Sequence, residues 1–152
     1  MFGRKERSTD YALNGGAAPT TFALGLVAGL DLSFYVEEDN QLVELMAKVT
    51  YTNTVAERTD LTIFVDGADV MAPATNGIAG LTPTNVGANT LVASRMVLGL
   101  SKGQHVAQVR MKAPTGVVTA MGTVIPAELY ALRLSHNAVL GHGVDSKALL
   151  TQ

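Results

Sequence analysis

The stretch Leu98-Gly-Leu-Ser-Lys-Gly-Gln-His-Val-Ala-Gln-Val-Arg-Met111 decides the fold. It predicts a strand that ends at Leu100, a Ser-Lys-Gly turn, and a second alternating strand that begins at His105. His105, Ala107, Val109 and Met111 fall on one face, and Gln104, Val106, Gln108 and Arg110 on the other. Upstream, Thr90 to Leu100 reads as the partner strand, with Val92, Met96 and Leu98 as its expected inward set. Downstream, Pro114-Thr-Gly116 turns the chain and Val117 to Val124 gives a short strand. Ala127-Glu-Leu-Tyr-Ala-Leu-Arg-Leu134 then closes the pattern, with Tyr130, Leu132 and Leu134 alternating.

The same period of two extends toward the N-terminus. Leu30, Leu32, Phe34 and Val36 share one face, and Glu37-Glu-Asp-Asn40 is a polar turn. Val43, Leu45, Ala47, Val49 and Tyr51 line the next strand. A helical stripe through Leu42, Leu45 and Met46 competes there, but the β-branched run Val49-Thr-Tyr-Thr52 decides for strand. Leu61, Ile63 and Val65 lead into Asp66-Gly67, a pair suited to the positive φ angles of a tight hairpin. Val70-Met71 continues weakly beyond it, and Ala72 to Asn89 reads as a long loop or a pair of short edge strands. The expectation is an all-β chain: an antiparallel β-sandwich or jelly roll of about eight strands.

Residues 1–19 lack a sustained period and contain the breaker cluster Asn14-Gly-Gly-Ala-Ala-Pro19. They are expected to form an N-terminal arm, with the sandwich domain over 20–134 and a C-terminal extension over 135–152.

Composition narrows the function classes. Of 152 residues, 47% are apolar and only 16% charged, so the surface must be largely uncharged and polar. That suits a surface covered by copies of the chain or by a partner, because charge is what normally keeps soluble surfaces apart. A net charge of −2 gives no footprint for nucleic acid, and the basic cluster Arg4-Lys5-Glu6-Arg7 is terminal and broken by an acid. No cysteine is present, which removes disulfides, thiolate metal sites and cysteine nucleophiles. Neither a secretory leader nor a membrane span is expected, since Thr20 to Leu32 is too short to cross a bilayer.

Candidate chemistry is thin. His105, His136 and His142 lack helical zinc spacing, and His105 reads as an inward residue bonded to a backbone carbonyl. Asp66-Gly-Ala-Asp69 runs into Ala72, Pro73 and Ala74 where a calcium loop needs oxygen ligands. Glu37, Glu38 and Asp39 are adjacent acids in a turn, not a glycosidase pair in an aromatic-lined cleft. No Gly-x-Ser-x-Gly elbow occurs. Met46, Met71, Met96, Met111 and Met121 read as core fillers, with a sticky surface as the alternative. The chain is therefore expected to be no enzyme and to use no cofactor or metal.

Leu61-Thr-Ile-Phe-Val-Asp-Gly67, Gly99-Leu-Ser-Lys-Gly-Gln-His-Val-Ala-Gln-Val-Arg110 and Leu129-Tyr-Ala-Leu-Arg-Leu134 together resemble a pattern found in jelly-roll structural proteins of tailed bacteriophages, the capsid decoration (cement) proteins among them. The resemblance covers Leu30 to Leu134 and rests on the Asp66-Gly67 turn and the Gly103-x-His105 hairpin, which are marks of fold. Met111 departs from it, standing where a bulky aromatic is usual. The resemblance implies a virion protein, made in the host cytoplasm, on the capsid exterior. Its partners would be the major capsid protein and itself, as a trimer or dimer, with no nucleic acid and no membrane. Contacts are expected from the termini: Phe2, Arg4, Tyr11 and Leu13 at one end, Leu149 and Leu150 at the other. Removal of residues 1–19 is expected to leave folding intact. The alternatives are a tail or baseplate jelly roll that binds a host receptor or glycan, and a trimeric ligand domain of the tumour-necrosis-factor type.

Overall fold

In the computed structural model, which describes residues 3–69 and 79–134, the alternating runs form strands whose apolar rows meet between two sheets. The strands are β1 (Gly3–Arg7), β2 (Tyr11–Ala12), β3 (Leu26–Val36), β4 (Val43–Asn53), β5 (Thr59–Val65), β6 (Ala68–Asp69), β7 (Ala79–Leu81), β8 (Asn89–Val97), β9 (Gly103–Lys112), β10 (Val118–Met121) and β11 (Ala127–Arg133). All of the pairings are antiparallel.

Several of these are pieces of one line. β10 and β11 share one edge of β4, pairing Met121 with Thr50 and Glu128 with Lys48, while β8 takes the other edge. β2 pairs β10 just as β1 pairs β11, so β1 and β2 also form one broken strand. β6 and β7 likewise share the free edge of β5. Counted this way, the strands reduce to eight positions. One sheet takes the first, eighth, third and sixth, and the other the second, seventh, fourth and fifth. That interleaving is the order of a jelly roll, two Greek keys wrapped face to face.

The core is the meeting of the inner rows. Leu30, Leu32, Phe34 and Val36 from β3, Leu61, Ile63 and Val65 from β5, and Ala107, Val109 and Met111 from β9 face Val43, Leu45, Ala47, Val49 and Tyr51 from β4. Leu129 and the alanines 127 and 131 complete the opposite wall from β11. Asp66 (φ 51) and Gly67 (φ 78) form the two-residue hairpin between β5 and β6, both at positive φ.

Two expectations are corrected. Residues 3–19 are not an arm separate from the sandwich. β1 and β2 are built into a sheet, Leu13 is 0% exposed in the core, and Pro19 accepts a hydrogen bond from the Ala113 amide. β1 reads as structureless because its Gly-Arg-Lys-Glu-Arg sequence is held by ladder hydrogen bonds along β11, not by an apolar row. A polar seam fixes the break in both lines. The Asp10 carboxylate accepts hydrogen bonds from the Gly122 and Thr123 amides at 2.8 and 3.1 Å, and the Arg7 guanidinium stacks on Tyr11 and donates to the Ala28 carbonyl.

The second correction concerns β8. Its inward row is Leu91, Ala93 and Val97, whereas Val92, Met96 and Leu98 are exposed. The strand also ends at Val97 rather than Leu100. The register with β4, which pairs Val49 with Leu91 and Val43 with Val97, fixes that phase. Val70, Met71, residues 72–78 and the C-terminal extension 135–152 lie outside the described residues.

Candidate contact face

The outer face of the β1–β11–β4–β8 sheet is a grid set by register. One row across the strands reads Met96, Glu44, Leu132; the next reads Ser94, Met46, Tyr130, Arg4; a third reads Val92, Lys48, Glu128, Glu6. Outward positions of an antiparallel sheet facing water are ordinarily polar. Here Val92 is 58% exposed and Met96 51%, with Leu98 at 69% just beyond the strand, and Met46, Tyr130 and Leu132 are half-buried beside them.

Three of the five charged groups on this face pair with one another. Arg4 pairs with Glu6 and Glu128, and lies over the Tyr130 ring at 5.3 Å. Glu128 sits opposite Lys48, and the Arg4 hydrogen bond, more than any other influence, holds its carboxyl below the usual range. Glu44 accepts a hydrogen bond from the Ser94 hydroxyl at 2.6 Å. Covering the face would bury apolar area but would also desolvate Lys48, which has only Glu128 opposite it, and Glu44, which has only the Ser94 hydroxyl.

The outer face of the other sheet contrasts with it. From β3 it carries Asp31, Ser33 and Tyr35, and from β9 Gln104, Gln108 and Arg110. Arg110 lies over Phe64 at 4.6 Å and donates to the Gln108 side chain.

One corner of the sandwich is a lock. His105, 6% exposed, has Nδ1 2.6 Å from Asp66 Oδ2 and Nε2 2.7 Å from the Ser101 carbonyl oxygen. Asp66 Oδ1 also accepts from the Val106 amide at 2.9 Å. Gly103 enters β9 at φ 139, which lets the turn bring Ser101 back over the ring. Burial works against a charge on the imidazole, but the Ser101 carbonyl and the Asp66 carboxylate outweigh it and raise its pKa.

Of the expected contact residues, Arg4 lies on the outward grid. Tyr11 packs half-buried under Arg7, Leu13 is sealed in the core, and Phe2, Leu149 and Leu150 lie outside the described residues. Leu13 is thus corrected from a contact residue to a core residue, because the chain folds back after β2 and drives it between the sheets. Met46 and Met96 face outward, and only Met111 of the described methionines is fully buried. Two acids of the first polar turn reach distant parts of the chain: Glu37 pairs with Arg133, and Asp39 accepts from the Lys102 amide.

Two clefts open at the ends of the sandwich. One, of about 370 Å3, lies among Glu38, Asp39, Leu42, Leu98 and Leu134. The other, of about 300 Å3, lies among Thr20, Arg58, Asp60 and Lys112. Among the described residues, no three histidine or acidic side chains gather as a metal site.

No family model and no curated protein matches this sequence. Solved structures with similar folds include a tumour-necrosis-factor protein, Eiger, from S. frugiperda (12% identity, 68% of this chain and 64% of that one, TM-score 0.45). They include a family 35 carbohydrate binding module from Clostridium thermocellum (12% identity, 84% and 98%, TM-score 0.39). They also include a cycloisomaltooligosaccharide glucanotransferase from Paenibacillus sp. (13% identity, TM-score 0.39), of which this chain spans 18%. Likenesses this distant carry no argument about function. The chain is an antiparallel β-sandwich with jelly-roll strand order.

Proposed function

We propose that this chain is a structural protein of the virion, a decoration protein that binds the outside of an assembled phage head and bridges major-capsid subunits. The observation that carries this reading is the outward set of Val92, Met96, Met46 and Leu132, apolar side chains interleaved with charges of both signs on one sheet face. Such a face is suited to a macromolecular partner rather than to water. A module that binds only the finished shell stabilises it by mass action, and modest contacts repeated over a lattice add up. The reading needs no catalytic group and no cofactor. Quantitative mass spectrometry of purified particles tests it: copies comparable in number to the major shell protein support it, and absence from the particle overturns it.

A second reading, a tail or baseplate module that binds a receptor or glycan, draws on the other sheet. There Tyr35, 49% exposed, stands opposite Gln104, with Ser33 in the next outward row, an aromatic ring beside an amide and a hydroxyl. A handful of copies per particle would favour it.

A further inference from the structure

We propose that the cleft between the start of β5 and the end of β9 binds a carboxylate carried on a short aliphatic stem. The cleft belongs to the β3–β9–β5 sheet, away from the outward set of Val92 and Met96, and its failure would leave the decoration reading untouched.

The first observation is a charge buried where the strand pattern would expose it. Asp60 stands in the outward phase of β5, opposite to that of Leu61 and Ile63, yet it is only 5% exposed. A buried carboxylate needs partners. Arg58 Nε donates to Asp60 Oδ1 at 2.8 Å, and Lys112 is the cross-strand neighbour of Asp60 on β9. Glu57, the nearest acid along the chain, is turned away to the Thr115 hydroxyl. Two cations therefore share one acid, which leaves the cleft a surplus of positive charge in a chain whose net charge is −2.

The second is a pair of unspent donors. Arg58 gives only its Nε to Asp60; among the described residues nothing accepts from Nη1 or Nη2, and the side chain is half exposed. Two parallel guanidinium N–H groups match the two oxygens of a carboxylate. The surplus suits a monoanion, because a phosphate dianion would bring a second negative charge toward Asp60.

The third is the shape of the cleft. Gly80 in β7 is the cross-strand partner of Asp60, and a Cβ there would overlap both Asp60 Oδ1 and Arg58 Nη2. The ion pair thus rests on bare backbone, which only glycine provides at this position. The remaining lining is Thr20, Ala113 and Pro114, held in place where the Ala113 amide donates to the Pro19 carbonyl at 3.0 Å. A volume of about 300 Å3 exceeds what a carboxylate alone fills, and the carbon of Ala113 and Pro114 suits a few methylenes.

The experiment is an NMR titration of the purified full chain, at constant ionic strength, with butyrate, with butyramide and with inorganic phosphate. Butyrate is expected to shift the Gly80 and Ala113 amides and the Arg58 Nε–H saturably, in the millimolar range, and butyramide to bind far more weakly. Asp60→Asn removes the acid and frees Arg58, so it should tighten butyrate about tenfold, and Lys112→Gln should weaken it by a similar factor. A trio that served only as a structural ion pair would show neither change. The proposal is overturned by the lack of a saturable butyrate shift, by equal binding of butyramide, or by affinity unchanged in both variants. Tighter binding of phosphate overturns the choice of a carboxylate. The comparison of butyrate with butyramide needs no variant, so it decides even where a substitution unfolds the chain.

Discussion

The Asp66 carboxylate grips both the ring and the neighbouring backbone of one residue pair: its Oδ2 lies 2.6 Å from His105 Nδ1 while its Oδ1 takes the Val106 amide. This ties the β5–β6 hairpin to the start of β9 across a single turn. The Ser101 carbonyl takes the other ring nitrogen, so both nitrogens face acceptors and the protonated imidazole fits the site better than the neutral one.

The sign of the pH dependence follows. His105 has a raised pKa, so its stabilisation is complete below the unfolded value of about 6.5 and is lost as pH rises through the folded value. Asp66 has a lowered pKa: burial acts against its charge, but the His105 and Val106 bonds prevail. Its contribution is complete above about 3.9 and is lost as pH falls through the lowered value. Thermal unfolding should therefore show a plateau between these limits and a decline on the alkaline side. Asp66→Asn keeps the positive φ and removes the charge. It should lower stability by about 1 kcal/mol near neutral pH, given the partial exposure of Asp66, and flatten the alkaline decline. An unchanged pH profile in that variant would show that the pair does not couple.

The phase of β8 can be read by paired truncations. Leu91→Ala removes a core side chain and should cost about 2–5 kcal/mol in denaturant unfolding. Met96→Ala, on the outward grid, should change monomer stability by about 0.5 kcal/mol or less. The reverse ranking would place Met96 in the core.

The N-terminal strands belong to the folding unit. Leu13→Ala should cost about 2–5 kcal/mol, because the side chain is sealed between the sheets. A chain starting at Thr20 loses Leu13 together with both edge segments, and it should melt well below the full protein. Equal melting temperatures for the two would restore the arm.

Gly25 sits where no side chain fits. A Cβ there would lie 1.5 Å from the Met111 carbonyl oxygen, and the Met111 amide donates to the Gly25 carbonyl at 2.9 Å. Gly25→Ala must separate β3 from β9 at this point and should destabilise by about 3 kcal/mol or more, visible as a lower denaturant midpoint. A wild-type midpoint would mean that the two strands can part here without loss.

Much of the architecture was legible in the residues. The rows Leu30–Val36, Val43–Tyr51 and Leu61–Val65 alternate cleanly, and Asp66-Gly67 names its own turn. Thr90 to Leu100 misleads because both of its phases are apolar, with the larger side chains in the outward one. Only the pairing with β4 chooses between them, and pairing is a long-range property. β1 was illegible for the opposite reason: an edge strand of charged residues carries no periodic signal at all. The contact face shares both problems, since Met46 and Met96 look like core until register puts them outside. Asp66 as the partner of His105 was hidden by 39 positions of separation.

The pairing of Arg4 with Tyr130 joins the first described strand to the last. On a ribosome, β1 emerges early and then waits while the remaining chain is made, on the order of ten seconds at ordinary elongation rates. Until β11 appears, its hydrogen-bonding groups have only water as a partner, and its charged side chains keep it from collapsing elsewhere. The outward face that β1, β11 and β4 share is therefore completed only once β11 is made.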